Sequence, residues 1–116
     1  MKNEKSLFDQ TNDIVKGIAK KCSITNNNTG NTYFINPKQR LCKVVLTKKN
    51  VKLECNIEVS KELKDKINSS QSSEIIDIDK DTAKKKKLGT MKNMLISSNT
   101  EFIKDIIEDM LKTWNS

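Results

Sequence analysis

The 116-residue chain contains no histidine, and this absence excludes several classes of function. Ser-His-Asp and Cys-His catalytic groups cannot form without histidine, and the commonest general base near neutral pH is also missing. Any catalysis would have to depend on carboxylates, lysines or a borrowed metal. The acidic pairs Glu54 with Glu58 and Glu108 with Asp109 lie among lysines, unlike the desolvated pairs of acid–base catalysts. We therefore predict that the protein is not an enzyme.

Cysteine is also scarce, and the three cysteines, Cys22, Cys42 and Cys55, form no C-x-x-C pair. A structural zinc site takes four nitrogen or sulfur ligands, so this chain cannot build the usual cage alone. Residues 77–81 begin like a calcium-binding loop, but the glycine and glutamate that such a loop requires are absent. We expect no metal and no other cofactor. We expect reduced, mostly buried thiols, with Cys42 and Cys55 as candidate strand neighbours.

Long hydrophobic runs are missing as well. No segment approaches the roughly 18 apolar residues that span a bilayer, and the first ten residues lack the apolar core of an export signal. We therefore expect a cytoplasmic protein without membrane contact. Proline occurs once and glycine three times, so asparagine, serine and threonine must supply the turns. A chain of this length suits one modest core, so we predict a single domain over residues 1–116.

Apolar side chains recur at regular spacings and predict the secondary structure. Spacings of three and four residues predict an N-terminal helix over 4–22, and a short helix capped by Ser60. A strongly amphipathic C-terminal helix is predicted after Ser98, which forms a capping-box pattern with Glu101. Segments 23–31 and 79–89 read as polar loops. Strands are predicted at 32–36, 40–47, 51–59, 74–78 and 90–97.

The clearest alternation lies in 51–59, where apolar residues are predicted to face inward and polar residues outward. The inward set is Val51, Leu53, Cys55, Ile57 and Val59, and the outward set is Lys52, Glu54, Asn56 and Glu58. Both faces of 40–47 are apolar, with Cys42, Val44 and Leu46 on one face and Leu41 and Val45 on the other. These patterns predict an α+β fold. The predicted sheet is mostly antiparallel, has about five strands, and carries the N- and C-terminal helices on one face.

Positive charge is plentiful and unevenly distributed. The net charge is +7, and residues 37–70 hold nine basic and four acidic residues, whereas 71–116 hold eight of each. A basic surface of this kind attracts phosphate backbones. Only one of the basic residues is arginine, the residue that specific recognition favours, so we expect nucleic-acid binding of low specificity. The candidate binding residues are Lys38, Arg40, Lys43, Lys48, Lys49, Lys52, Lys84, Lys85, Lys86 and Lys87.

Two simpler explanations of the lysines stay open. The lysine surplus can be a solvated surface that reflects compositional bias, and the acids of 77–81 can neutralise the run 84–87. Aromatic residues are few. Tyr33 and Phe34 point to opposite faces of a strand, so a base-stacking surface can display at most one of them. We expect Phe34, Phe102 and Trp114 to pack in the core.

The alternative function is a protein-interaction or structural module. Exposed apolar surface around Leu41, Val45 and the C-terminal helix would then form a homodimer. A third option, a small-molecule pocket between sheet and helices, has no residue signature here. The partners expected from the sequence are therefore nucleic acid, an acidic protein or a second copy of the chain.

Four segments resemble an uncharacterised bacterial α+β domain family. They are SLFDQTNDIVKGI (6–18), TYFIN (32–36), LTKKNVKLECNI (46–57) and KLGTMKNMLISSNTEFIKDIIEDMLKTW (87–114). The family also forms the C-terminal domain of proteins labelled "predicted transport protein", beside a restriction-type nuclease-like domain. The resemblance implies the α+β architecture and an association with nucleic-acid processing. It assigns no catalytic residues, and the family's longer glycine-rich stretch is here a lysine run with one glycine.

Overall fold

A computed structural model describes residues 5–79 and 91–115. The elements are α1 (Leu7–Ile18), β1 (Ser23–Asn27), β2 (Gly30–Asn36), β3 (Gln39–Val45), β4 (Val51–Cys55), α2 (Lys61–Asn68), β5 (Ser73–Asp77), β6 (Asn93–Ser97) and α3 (Ile103–Asn115). The predicted α+β class is confirmed, with six strands in the described sheet rather than about five. The predicted sites Lys84, Lys85, Lys86 and Lys87, and all of the predicted loop 79–89 except Asp79, lie outside the described residues.

The six strands form one sheet in the order β1-β2-β3-β4-β6-β5, and every neighbouring pair is antiparallel. Helices α1 and α3 pack on each other and cover one face, as predicted, and α2 packs beside β5. We call the covered side the helix face and the other side the open face. The core lies between the sheet and the two long helices, and its largest fully buried side chains include Tyr33, Leu53, Leu95, Ile106 and Met110.

One buried polar contact fixes α1 against the sheet. The Tyr33 hydroxyl donates a hydrogen bond to the side-chain oxygen of Asn12, over 2.6 Å. The Asn12 amide in turn donates to the backbone oxygen of Phe8, over 3.0 Å. Because buried polar groups are costly when unpaired, this pair sets both the rotation of α1 and its distance from β2.

Serine residues are the N-caps of two of the helices. Ser6 accepts the Asp9 N–H, and Ser60 accepts the Leu63 N–H as predicted. The prediction for Ser98 is wrong, because α3 begins at Ile103. The Asn99 side chain instead accepts the Glu101 N–H, over 2.9 Å, in a local turn before the helix.

The predicted polar loop 23–31 is wrong, since it forms β1, a tight turn and the start of β2. All five residues of β1 are exposed, so neither side of the strand needs apolar residues. The sequence of β1 therefore lacks the apolar–polar alternation that identifies a half-buried strand. The strand is held by its backbone ladder with β2 and by the turn. At this turn Asn27 accepts the Thr29 N–H over 2.8 Å, and Gly30 has a φ of 146°.

Three expectations about side-chain direction also need correction. Leu46 is 55% exposed because β3 ends at Val45. Asn56 is buried rather than facing water, because β4 ends at Cys55 and the alternation stops there. Leu41 is fully buried, so it contributes nothing to the apolar surface predicted for a homodimer.

Candidate nucleic-acid interface

A bulge in β3 decides which side of the sheet Arg40 occupies. Tyr33 pairs with Cys42, but Phe34 pairs with Arg40, so Leu41 is an extra residue in β3. Regular alternation would have placed Arg40 on the helix face beside Cys42. The bulge turns Arg40 to the open face and leaves Leu41 in the interior.

Phe34 lies on the open face next to Arg40. The ring is half-buried, which corrects the expectation that it packs in the core. Strand alternation explains this, because the neighbouring Tyr33 fills the helix face. The Arg40 guanidinium lies over the ring, 5.6 Å from its centroid, in cation–π geometry. An aromatic ring and a guanidinium therefore meet at one point of the uncovered sheet surface.

Two lysines continue this surface across the central strands. Lys43 is half-buried and pairs across the sheet with Thr32 on one side and Glu54 on the other. Its ammonium donates to the Thr29 hydroxyl over 2.5 Å. Lys52 is half-buried in β4, so its stem lies along the sheet while the charged end reaches solvent.

The remaining described candidates lie at the two ends of the strands. Lys48 and Lys49 are exposed in the connection between β3 and β4, and Lys38 is exposed in the turn between β2 and β3. A seven-residue strand such as β3 spans about 23 Å, so these lysines are not in one pocket. The predicted residues instead form an elongated track. We call the following set the basic strip: Lys38, Arg40, Lys43, Lys48, Lys49 and Lys52.

Acidic residues are absent from the part of the sequence that builds this strip. Residues 14–53 contain no aspartate or glutamate, and the next acid is Glu54, half-buried in β4. Glu74, the further acid of the open face, belongs to β5 at the far edge of the sheet. The open face is therefore positive over β3 and the turns at its two ends, uncharged over β2, and mixed in charge from β4 onward.

The acids of the other half are partly neutralised in place. The Lys64 ammonium lies 3.0 Å from Asp77 and 3.3 Å from Glu58. Burial alone would lower the pKa of Lys64, but hydrogen bonds to Asp77 and Glu58 outweigh it and raise the pKa above its usual value. The buried Asn93 side chain also donates to Asp77, over 2.6 Å, and accepts the Val59 N–H.

The cysteines offer no accessible pair of nucleophiles. Cys42 and Cys55 are direct neighbours across β3 and β4, which confirms the prediction, and both are fully buried free thiols. Burial raises the pKa of both thiols, and a thiol of this kind reacts slowly. Cys22 is half-buried, and burial raises its pKa as well.

The prediction that Trp114 packs in the core is wrong. It is 43% exposed, because it lies one turn beyond Met110, the last buried residue of α3. The buried aromatics are Phe102, as predicted, and Tyr33. Helical spacing alone put Trp114 on the apolar stripe, but the sequence does not show that the covered part of the helix ends earlier.

Comparisons with family models, curated proteins and solved structures find no match for this chain. None of the helices in residues 5–79 and 91–115 is long and apolar enough to cross a membrane. Within the same residues, no group of three or more cysteine, aspartate and glutamate side chains could hold a metal ion.

Proposed function

We propose that the protein binds single-stranded nucleic acid, with low sequence specificity, through the basic strip. The observation that carries this proposal is the placement of Arg40 and Phe34 together on the open face, in line with Lys43. No acid interrupts the chain between residues 14 and 53. An aromatic surface within a positive track is the usual arrangement of single-strand binding sheets.

The chemistry divides between the two kinds of side chain. The lysines are flexible point charges and suit phosphate oxygens along a backbone. The half-buried ring of Phe34 and the planar guanidinium of Arg40 suit the faces of unpaired bases. A duplex hides these base faces, so it would use the lysines alone. With one arginine in the strip, little base-edge readout is expected.

Fluorescence anisotropy with a labelled oligothymidine, at about 50 and 200 mM salt, tests the proposal. If the five lysines of the strip contact phosphates, affinity should fall by about two orders of magnitude across this range. Neutralising Lys48, Lys49 and Lys52 together to glutamine should reduce the slope of log affinity against log salt by about 2. The matched control neutralises Lys61, Lys104 and Lys112, which are exposed on α2 and α3. Equal effects of the two triple variants, or no binding by the native chain, would contradict the proposal.

Phe34→Leu separates stacking from charge, because leucine keeps an apolar side chain and removes the ring. We expect oligothymidine binding to weaken about tenfold, since base stacking on an aromatic contributes about 1–3 kcal/mol. Binding of a duplex of equal length should stay unchanged. Light scattering tests the alternative, a homodimer formed through the open face. A dimer that is present in the native chain and lost in Val45→Glu would contradict the proposed use of that face.

A further inference from the structure

The two edges of the sheet are treated differently. At β5, the backbone of Ile75 is fully occupied by one side chain, since its N–H donates to Asn68 over 2.8 Å and its oxygen accepts from Asn68 over 3.1 Å. The Ser73 N–H donates to the Ser70 hydroxyl, over 3.2 Å. Side chains at the end of α2 and just after it therefore occupy the positions that a further strand would take.

The edge at β1 has no such cover among the described residues. The Leu46 N–H donates to the Thr29 oxygen, which directs the backbone groups of Gly30 toward Asn27 in β1. Alternation along β1 then points the N–H and C=O groups of Ile24 and Asn26 away from β2. Within residues 5–79 and 91–115, nothing is hydrogen-bonded to these outward groups. An edge of this kind is a template for strand addition.

A cavity of about 390 Å³ lies next to the beginning of this free edge. Cys22 directly precedes β1, and its side chain lines the cavity together with Ile35, Leu111 and Trp114. Lys20 and Lys21 also line it, and none of the described residues in its lining is acidic. The cavity thus combines an apolar interior with two exposed positive charges, beside a backbone that can still form hydrogen bonds.

We propose that β1 accepts an extended segment of another protein as an added strand. The segment places an apolar side chain in the cavity at Cys22 and Trp114, and it carries acidic residues that face Lys20 and Lys21. Backbone hydrogen bonds from Ile24 and Asn26 provide affinity, and the cavity and the lysines provide selectivity. This surface differs from the basic strip, so the proposal does not depend on nucleic-acid binding.

A second copy of the chain fits this edge less well. In a two-fold antiparallel pairing centred on Thr25, Lys21 of one copy would lie opposite Thr29 of the other. The Thr29 hydroxyl already holds the ammonium of Lys43, so two positive charges would be brought together. An acidic segment provides attraction at the same place.

Two synthetic peptides test the proposal, one alternating valine with glutamate and one alternating valine with lysine, each with a central leucine. Trp114 is the only tryptophan and lines the cavity, so its fluorescence reports occupancy. We expect the glutamate peptide to cause a saturable blue shift of the emission. The lysine peptide should bind at least tenfold more weakly. Absence of a saturable shift with the glutamate peptide at millimolar concentration would overturn the proposal.

Ile24→Pro removes one outward N–H and should weaken peptide binding about tenfold or more. The fold should be retained, because this N–H takes no part in the ladder with β2, and circular dichroism checks this. Ile24→Val is the matched control and should bind like the native chain. The double change Lys20→Glu with Lys21→Glu should reverse the preference between the peptides.

Equal peptide binding by Ile24→Pro and Ile24→Val would overturn the use of this edge. Self-association that Ile24→Pro abolishes would overturn the acidic segment in favour of a second copy. Oligothymidine binding by Ile24→Pro should equal that of the native chain, so a failure here is distinguishable from a failure of the proposed function.

Discussion

The two halves of the sheet share one antiparallel ladder but differ in charge and in their edges. The half built from β1, β2 and β3 comes from a part of the sequence without acids, and its outer strand is fully exposed. The half built from β4, β6 and β5 holds Glu54, Glu74 and Asp77, and its outer strand is covered by Asn68. Polar groups that are paired within the protein therefore concentrate in the half built from β4, β6 and β5. Polar groups that remain available for binding concentrate in the half built from β1, β2 and β3.

The contrast shows how a small α+β protein can divide stability and recognition. Proteins usually protect both edges of a sheet, because a free edge invites unwanted pairing. Here the protected edge carries apolar Ile75 and Ile76, for which unwanted pairing would be most harmful. The free edge is short and polar apart from Ile24, which limits that hazard without closing the edge.

The largest expected effect concerns the half of the sheet built from β1, β2 and β3. It tests how far the stability of this half depends on one glycine. A Cβ at Gly30 would lie 2.1 Å from the backbone oxygen of Val44, and the residue has a positive φ. We expect Gly30→Ala to lower the free energy of unfolding by about 3 kcal/mol or more, through steric overlap and backbone strain. Urea unfolding measures this change.

Gly17→Ala is the matched control in α1, where an added Cβ meets nothing within 4 Å. It should stabilise the protein by about 0.5–1 kcal/mol, because glycine is unfavourable within helices. Similar stability of the two alanine variants would mean that the turn between β1 and β2 can change its conformation without lowering the free energy of unfolding.

A smaller effect is expected at the boundary between the halves, where Cys42 and Cys55 are neighbours. Burial raises the pKa of both thiols, so they ionise only on unfolding, where the thiol pKa is about 8.5. Their stabilisation is thus fully present below about pH 8.5 and is lost as the pH rises. Between pH 7.5 and 9.5 we expect a loss of about 2–3 kcal/mol in reducing buffer, measured by urea unfolding.

Cys42→Ala is the control for this pH dependence. Its stability at pH 7.5 should be lower because a buried side chain is truncated, but its loss between pH 7.5 and 9.5 should be about half that of the native chain. An unchanged loss in the variant would show that other groups cause the pH dependence.

The smallest effect comes from making the two edges alike. Asn68→Ala leaves the N–H and C=O of Ile75 without their side-chain partner. We expect a loss of about 1–2 kcal/mol in unfolding free energy, together with concentration-dependent association in light scattering. Ser69→Ala is the neighbouring control, since the Ser69 hydroxyl donates to the backbone oxygen of Asp65 in α2 and not to β5 among the described residues. If Asn68→Ala stays monomeric at high concentration, protection of this edge does not depend on the Asn68 side chain.

Prediction from sequence succeeded where side-chain burial or a capping side chain determines the structure. The alternation of Val51 and Leu53 with Lys52 predicted the direction of β4, and Ser60 predicted the start of α2. It failed for β1, which is held by its backbone and by a turn ending in Gly30. The Asn-rich turn with its glycine was the one available signal of a hairpin.

The candidate site was predictable in composition but not in arrangement. The sequence identifies Arg40 and Lys43 as cations, but their common face depends on a pairing irregularity between two strands. The display of Phe34 follows from the same register, since Tyr33 occupies the helix face. Which residue of a strand is extra depends on its partner strand, and the alternation within one strand does not contain that information.

The extra residue in β3 also affects which length changes the strand can accept. Removing Leu41 would let Tyr33 and Phe34 pair with consecutive residues of β3, and Arg40 and Cys42 would keep their present sides. The buried contacts of the Leu41 side chain would be lost, but no neighbouring side chain would move to the opposite face of the sheet. Natural variants of this chain that are one residue shorter should therefore carry their gap at this position more often than elsewhere in β3.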